Sequence, residues 1–214
     1  MSILLIALAP VVIILVYIYV RDKYEKEPLS LLLKSLALGA LIVIPVVFIE
    51  AALKGMMPVL NSMGVAFYDA FVVAAFTEES FKFLVLYLLI RKSKEFNERF
   101  DGIVYAVFIS LGFAGVENIM YVYDGGMAIG ISRAFTAVPT HALFGVSMGY
   151  YFALSKFESE RTDLNMFKAL AVPIVLHGIY DFILMTGHPY ILLAFFPFLI
   201  YLWWSGMKKI KHGY

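Results

Sequence analysis

Seven apolar stretches of about 20 residues follow one another along the chain, separated by short polar segments. A helix needs about 20 apolar residues to cross the hydrocarbon core of a bilayer. In that core the backbone must satisfy its own hydrogen bonds, which favours helices over irregular loops. The sequence therefore predicts an all-α, polytopic transmembrane bundle in a single domain, residues 1–214, with spans at 2–20, 29–50, 66–90, 102–122, 133–154, 166–185 and 190–207.

Composition supports a membrane protein and excludes several other classes. Hydrophobic residues make up 62% of the chain and charged residues 15%, which is too apolar for a water-soluble domain of this size. The net charge of +1, without a basic patch, argues against a nucleic-acid partner. Cysteine is absent, which excludes disulfides and thiolate chemistry. Arg21 and Lys23 follow the first apolar stretch instead of preceding it, so we expect a retained span and not a signal peptide.

Lysine and arginine alternate between the loops. Three or four basic residues lie in each of the loops 21–28, 91–101 and 155–168 and in the C-terminal tail, whereas 51–65 and 123–133 carry one each and 186–189 carries none. Loops rich in Lys and Arg stay on the cytoplasmic side of a membrane. Seven spans in a multi-pass protein of the cell membrane, with the N-terminus outside and the C-terminus cytoplasmic, fit this alternation.

Ionisable or polar side chains interrupt four of the predicted spans. Such groups are costly at membrane depth, so they usually face the bundle interior and mark function. At about 1.5 Å of rise per residue, the polar groups of the fourth, fifth and sixth spans lie in the outer half of the membrane. Those of the third span lie near the midplane. We therefore expect one polar pocket formed by Glu78, Glu79 and Lys82 of the third span, Glu117 and Asn118 of the fourth, His141 of the fifth, and His177 and Asp181 of the sixth.

Helical spacing relates the charged side chains within each span. Lys82 lies one turn from both Glu78 and Glu79 and can pair with either. Two carboxylates facing one ammonium leave a net negative charge, which a purely structural ion pair would not need. Asp181 is four residues from His177, so its carboxylate can orient the imidazole. A neutralised structural ion pair and a packing histidine capped by its neighbour are the alternative interpretations.

Glutamates and histidines without cysteine suit the activation of a water for hydrolysis of an acyl bond. One carboxylate would act as general base, and an imidazole or amide would stabilise the oxyanion. The candidate catalytic residues are Glu78, Glu79, His141 and His177, with Lys82, Glu117, Asn118 and Asp181 in supporting roles. A substrate embedded in the bilayer is expected, since the pocket lies within the membrane.

The sequence offers less support for other chemistries. No cofactor is expected for the glutamate mechanism, and there is no HExxH zinc motif. If a metal is present, zinc on His141, His177 and Glu78 is the alternative. The Gly145-x-Ser147-x-Gly149 pattern suggests a serine nucleophile, but it lies within a predicted helix, where small residues usually serve packing. A proton- or ion-coupled transporter and a non-catalytic scaffold are the alternatives outside enzymology.

Six segments resemble the PrsW family of bacterial membrane proteases, which belongs to the glutamate-type intramembrane group. They are RDKYEKEP, FTEESFKF, DGIVYAVFISLGFAGVENIMY, PTHALFG, LHGIYDF and PFLIYLWWSG. The resemblance implies a site-1 protease that cuts a membrane-anchored anti-sigma factor on its extracytoplasmic side. By this similarity, Glu78, Glu79 and His177 are essential residues.

The wider group includes the CAAX prenyl endopeptidases and is characterised by EExxxR, FxxxH and HxxxN or HxxxD motifs. This chain departs from the first motif, because the glutamate pair is followed by Lys82 as EExxK. It departs from the second, because Ala137 replaces the phenylalanine before His141. The third motif is matched by His177 and Asp181. These departures argue against a prenylated protein as the substrate.

Overall fold

The computed structural model describes residues 3–213, and all regular structure in that range is helical. Apolar stretches with few polar breaks favour helices because each helix satisfies its own backbone hydrogen bonds. The elements are α1 (Ile3–Arg21), α2 (Leu29–Leu41), α3 (Val43–Gly55), α4 (Ser62–Phe67), a π-helical segment (Tyr68–Ala75), α5 (Phe76–Ile90), α6 (Arg99–Phe135), α7 (Ala137–Phe157), a 3₁₀ turn (Ser159–Arg161), α8 (Thr162–Met185), α9 (Pro189–Leu192) and α10 (Phe195–His212).

Helices α6 and α7 form the centre of the bundle, and α1, α2 and α8 pack around them. Every residue of α6 from Phe100 to Gly115 is buried. The two central helices meet backbone to backbone, since a Cβ atom added at Gly149 would lie 2.1 Å from the carbonyl oxygen of Gly102. Small residues permit such close approach between membrane helices. This contact fixes the position of α7 relative to α6, and both helices carry candidate site residues.

The second predicted span, 29–50, is divided between α2 and α3. The break falls at Ile42, three residues before Pro45. Proline has no N–H group, so Pro45 cannot donate the helical hydrogen bond to the carbonyl of Leu41. The two helices nevertheless form one apolar run from Leu29 to Gly55.

The C-terminal part of α6 bends sharply at Gly126, whose φ of 75° and ψ of −168° are not helical. Glycine adopts positive φ without the steric penalty of a side chain. Beyond the bend the helix folds back, because a Cβ atom at Gly130 would lie 2.8 Å from a methyl group of Val122. The segment 127–135 therefore runs beside the part of α6 that precedes it.

The described chain is that of a multi-pass membrane protein. Five of its helical segments are long and apolar enough to cross a membrane, and one of these, Arg99–Phe157, contains both α6 and α7. The third predicted span, 66–90, is not among the five. It is helical throughout, but it is interrupted by the π-helical segment and carries Glu78, Glu79 and Lys82. The count of seven spans and the orientation of the termini stay predictions.

Candidate active site

The two adjacent glutamates lie in the first turn of α5, directly after the π-helical segment. A π-helical turn accommodates more residues than an α-helical turn, and such turns are frequent at functional sites. Glu79 is fully buried and Glu78 is 5% exposed. The helix therefore directs both carboxylates into the protein.

Lys82 binds both glutamates. Its Nζ atom lies 3.0 Å from Oε2 of Glu78 and 2.7 Å from Oε1 of Glu79, and the side chain has no exposed surface. The same ammonium lies 4.3 Å from the ring centre of Phe113, a distance at which a cation is attracted to the face of an aromatic ring. The three charged groups carry a net charge of −1 when all are ionised, as the sequence predicts.

The imidazole of His177 lies between two carboxylates. Its Nδ1 atom is 3.0 Å from Oε1 of Glu79, and its Nε2 atom is 3.2 Å from Oδ2 of Asp181. Phe144 stacks on the ring, with 5.0 Å between the ring centres. An imidazolium carries an N–H on each nitrogen and can satisfy both carboxylates. His177 is therefore held in one orientation by hydrogen bonds at both ends of the ring.

His141 joins the lysine to a third glutamate. Its Nδ1 atom lies 3.3 Å from Nζ of Lys82, and its Nε2 atom lies 3.0 Å from Oε2 of Glu117. An ammonium only donates hydrogen bonds, so Nδ1 accepts here and Nε2 carries the proton that is donated to Glu117. Four helices, α5 to α8, thus contribute to one connected network of polar side chains.

Arg133, near the end of α6, completes this network. Its guanidinium donates to Oε2 of Glu117 at 2.8 Å and to Oδ1 of Asn118 at 3.0 Å. Asn118 in turn donates to the backbone carbonyl of Ala7 in α1, at 3.0 Å. Asn118 is fully buried. Its amide therefore connects α1 and α6 and holds the guanidinium of Arg133 in position.

The network borders a cavity of about 110 Å³. An adjoining cavity of about 330 Å³, between α3 and α6, shares Glu50, Glu78, Glu117 and Tyr121 with it. A bound water occupies about 30 Å³, so the first cavity has room for more than one. Of the residues predicted from sequence, those that line the first cavity are Glu78, Glu117, His141, His177 and Asp181, whereas Glu79, Lys82 and Asn118 lie behind its wall.

Glu78 and Glu79 have different environments. Glu78 lines the cavity, whereas Oε1 of Glu79 binds both Lys82 and His177. The other oxygen of Glu79, Oε2, is buried and has no hydrogen-bond partner among residues 3–213. A water in the cavity can therefore meet the carboxylate of Glu78 more readily than that of Glu79.

Sequence reasoning missed four charged residues that line the cavity, which are Arg133, Glu50, Lys54 and Asp69. Arg133 was counted with the loop charges, and the available signal was that it is the single basic residue of the stretch 123–133. Glu50 is the last residue of the second predicted span, so it was not included among the charged residues inside the membrane. In the structure it lies within α3 and borders both cavities.

Ser147 lies inside α7 and is 2% exposed. It is not among the described residues that line the cavity. Its neighbour Gly145 packs on α6, since a Cβ atom there would lie 2.8 Å from Oγ of Ser110. This position agrees with the packing interpretation of the Gly-x-Ser-x-Gly pattern.

The site offers ligands of the kind that zinc takes. Glu78, Glu79, His141 and His177 each place one ligand atom within 4.8 Å of the others. Zinc is commonly bound by imidazole nitrogens and carboxylate oxygens, so these residues fit the ion in kind. Lys82 donates to both carboxylates and to His141, and a metal would share these ligand atoms with its ammonium.

Comparison with known proteins identifies the family. A family described as PrsW family intramembrane metalloprotease matches residues 27–204. Protease PrsW of Bacillus subtilis (strain 168) is 38% identical over 205 residues, which cover 95% of this chain and 92% of the relative. Protease PrsW of Oceanobacillus iheyensis is 39% identical over 213 residues, covering 100% and 96%. That of Clostridioides difficile (strain 630) is 34% identical over 217 residues, covering 99% and 91%.

The comparison with solved structures finds no match. The family match covers most of the chain and the curated relatives cover nearly all of it, which confirms the resemblance drawn from the six sequence segments. The chain belongs to the PrsW family of intramembrane proteases and is a peptide-bond hydrolase of the cell membrane.

Proposed function

We propose that the protein hydrolyses a peptide bond of a membrane-embedded protein by means of a water activated by Glu78. This proposal rests on the different positions of the two adjacent glutamates relative to the cavity. Glu78 borders the cavity, and Glu79 is buried behind it in contact with Lys82 and His177. A general base must reach the water that it deprotonates, and Glu78 meets that requirement.

In the proposed reaction the water oxygen attacks the carbonyl carbon of the scissile bond as its proton passes to Glu78. The negative charge that develops on the carbonyl oxygen is stabilised by the guanidinium of Arg133, which lines the cavity and has N–H groups beyond those that bind Glu117 and Asn118. The C–N bond then breaks, and the leaving amine takes the proton from Glu78. Carboxyl and amine products leave, and Glu78 is again ionised.

Lys82, Glu79 and Asp181 are positioning residues in this scheme. Lys82 binds Glu78 one turn along the helix and fixes its carboxylate. Glu79 and Asp181 hold the two nitrogens of His177. Asn118, one of the residues expected to hold the oxyanion, is bonded to Ala7 and Arg133, so its proposed role is to support Arg133.

The steps above need no cofactor. If zinc is bound, His141, His177 and Glu78 would hold it, and it would polarise the substrate carbonyl and acidify a bound water. The name protease, carried by the relatives, favours a peptidase over a transporter or a scaffold. Flux of ions into proteoliposomes would support the transporter instead.

The proposed substrate is a membrane-anchored anti-sigma factor cut at site 1, on its extracytoplasmic side. Two arguments support it, the similarity to the PrsW family and the pattern of basic loops, which puts the cavity on the side of the membrane away from them. Cleavage of candidate anti-sigma factors in membranes, with the cut mapped by mass spectrometry, tests this part of the proposal.

The mechanism is tested with purified protein and a cleavable transmembrane substrate. Glu78→Gln is expected to lower the cleavage rate by about 10² to 10⁴, the contribution of general base catalysis. Glu79→Gln is expected to lower the unfolding temperature as well, because it weakens the bonds to Lys82 and His177. Glu95→Gln, at an exposed loop position, is the matched control.

Ser147→Ala and a chelator distinguish the other mechanisms. Activity is expected to persist in Ser147→Ala. Loss of cleavage in Ser147→Ala together with full activity in Glu78→Gln would replace the glutamate mechanism by a serine mechanism. Inactivation by a chelator that zinc reverses would make Glu78, His141 and His177 metal ligands.

A further inference from the structure

A second cluster of carboxylates lies at the opposite end of α6 from the candidate active site. It consists of Asp22, which follows α1, Glu98, which caps the N-terminus of α6, and Asp101, in the first turn of α6. Each of the three places one carboxylate oxygen within 4.8 Å of the others. Like charges this close repel one another, and a bound cation or the protonation of one carboxyl relieves the repulsion.

The hydrogen bonds of the two aspartates use only one oxygen of each carboxylate. Oδ2 of Asp101 accepts from the backbone N–H groups of Asn97 at 2.9 Å and Glu98 at 2.6 Å. Oδ2 of Asp22 accepts from the backbone N–H of Glu27 at 3.3 Å. Backbone contacts therefore fix the orientation of both aspartates.

The second oxygen of each aspartate is buried. Asp22 and Asp101 are each 1% exposed. Neither Oδ1 atom has an N–H or hydroxyl partner among the described residues, although the carboxyl of Asp101 also contacts the carboxyl of Glu27. A buried carboxylate oxygen without a partner is unfavourable. The buried Oδ1 of Asp22, without a partner and beside the carboxyl groups of Glu98 and Asp101, points to a ligand that bonds to it from outside the protein.

The three side chains specify what kind of ligand this is. They supply only carboxylate oxygens, without histidine or cysteine, which is the donor set that hard cations prefer. We propose that Asp22, Glu98 and Asp101 bind a divalent cation of this class, Mg²⁺ or Ca²⁺. The bound cation connects the loop between α1 and α2 to the start of α6.

This cation site is separate from the glutamate and histidine network. Asp101 and Glu117 lie on the same helix, about 24 Å apart at 1.5 Å of rise per residue. The first loop, RDKYEKEP, thereby acquires a role that the proposed catalytic chemistry does not give it. The cation secures the inner end of the central helix that carries Glu117.

Terbium luminescence tests the proposal on the purified full-length protein in detergent. Tb³⁺ has the same preference for oxygen ligands and emits when a nearby tyrosine is excited. Tyr105 lies beside the cluster, with its hydroxyl donating to Glu27. Saturable emission that Mg²⁺ or Ca²⁺ displaces is the expected result, and the more effective competitor identifies the preferred cation.

Isosteric variants locate the site. Asp22→Asn and Asp101→Asn are each expected to weaken Tb³⁺ binding by about tenfold or more, because each removes one of three charges near the ion. Asn at position 101 keeps an oxygen that can accept the bonds from Asn97 and Glu98, which preserves the start of α6. Glu160→Gln, exposed at the same end of the bundle, and Glu78→Gln, at the other candidate site, are expected to bind as the parent does.

Three results would overturn the proposal. The first is the absence of saturable Tb³⁺ binding in the parent protein. The second is parental binding in both aspartate variants, with folding verified by thermal unfolding. The third is loss of the signal in Glu78→Gln, which would assign the ion to the glutamate and histidine network.

Discussion

Replacing Lys82 by methionine is expected to destabilise the protein severely. The ammonium is completely buried and binds Glu78 at 3.0 Å and Glu79 at 2.7 Å. Methionine fills a similar volume but leaves the two carboxylates without this counter-charge. Removing one partner of a buried ion pair costs about 3 to 5 kcal/mol. For a chain of this length, that corresponds to a fall of about 6 to 20 °C in the unfolding temperature.

Thermal unfolding of the purified protein in detergent, followed by circular dichroism, measures this effect. Lys94→Met is the matched control, since Lys94 is exposed in the loop before α6 and its loss is expected to change stability by about 0.5 kcal/mol at most. The double variant Lys82→Met with Glu78→Gln removes one of the stranded charges and is expected to recover part of the loss. An unfolding temperature of Lys82→Met within about 2 °C of the parent would refute the reasoning, because the carboxylates would then not depend on the lysine.

Three further predictions concern the bend in α6, the arginine that follows it, and the topology. Gly126→Ala forces a side chain into positive φ and is expected to cost about 1 to 3 kcal/mol in thermal unfolding, whereas Gly55→Ala, with open space around the glycine, should be nearly neutral. Arg133→Lys is expected to lower the cleavage rate by about 10- to 100-fold with little loss of stability, because an ammonium cannot reach both partners of the guanidinium; unchanged kinetics would contradict its placement at the site. Reporter fusions are expected to place residue 95 and the C-terminus in the cytoplasm and residue 125 outside, and a cytoplasmic residue 125 would reverse the orientation.

The helical class and most of the polar network follow from the sequence for one physical reason. Ionisable groups are expensive inside a membrane, so the few that occur are informative. Glu78, Glu117, His141 and His177 could be singled out in this way, and the structure brings them to one cavity. The family resemblance rests on the same residues, because the sequence segments that resemble the family contain them.

The remainder could not be predicted because it depends on geometry that helical periodicity does not contain. Arg133 reaches Glu117 only because the chain folds back at Gly126, and a sequence alone does not distinguish this bend from an ordinary loop between two spans. The role of Asn118 depends on its contact with Ala7, more than a hundred residues away. The different environments of Glu78 and Glu79 likewise depend on which helices pack against each side chain.

The π-helical segment has a consequence for how this family can vary. A π-helical turn amounts to one residue inserted into a regular helix, and each residue of an α-helix turns the chain by about 100°. Because the wider turn holds the extra residue, deleting one residue between Tyr68 and Ala75 would close it to a regular α-helical turn and leave the rotation of α5 relative to α4 nearly unchanged. A deletion within the regular helix of α5 would instead rotate every residue after it by about 100°. Single-residue changes of length are therefore expected to be tolerated more readily in the π-helical segment than in α5.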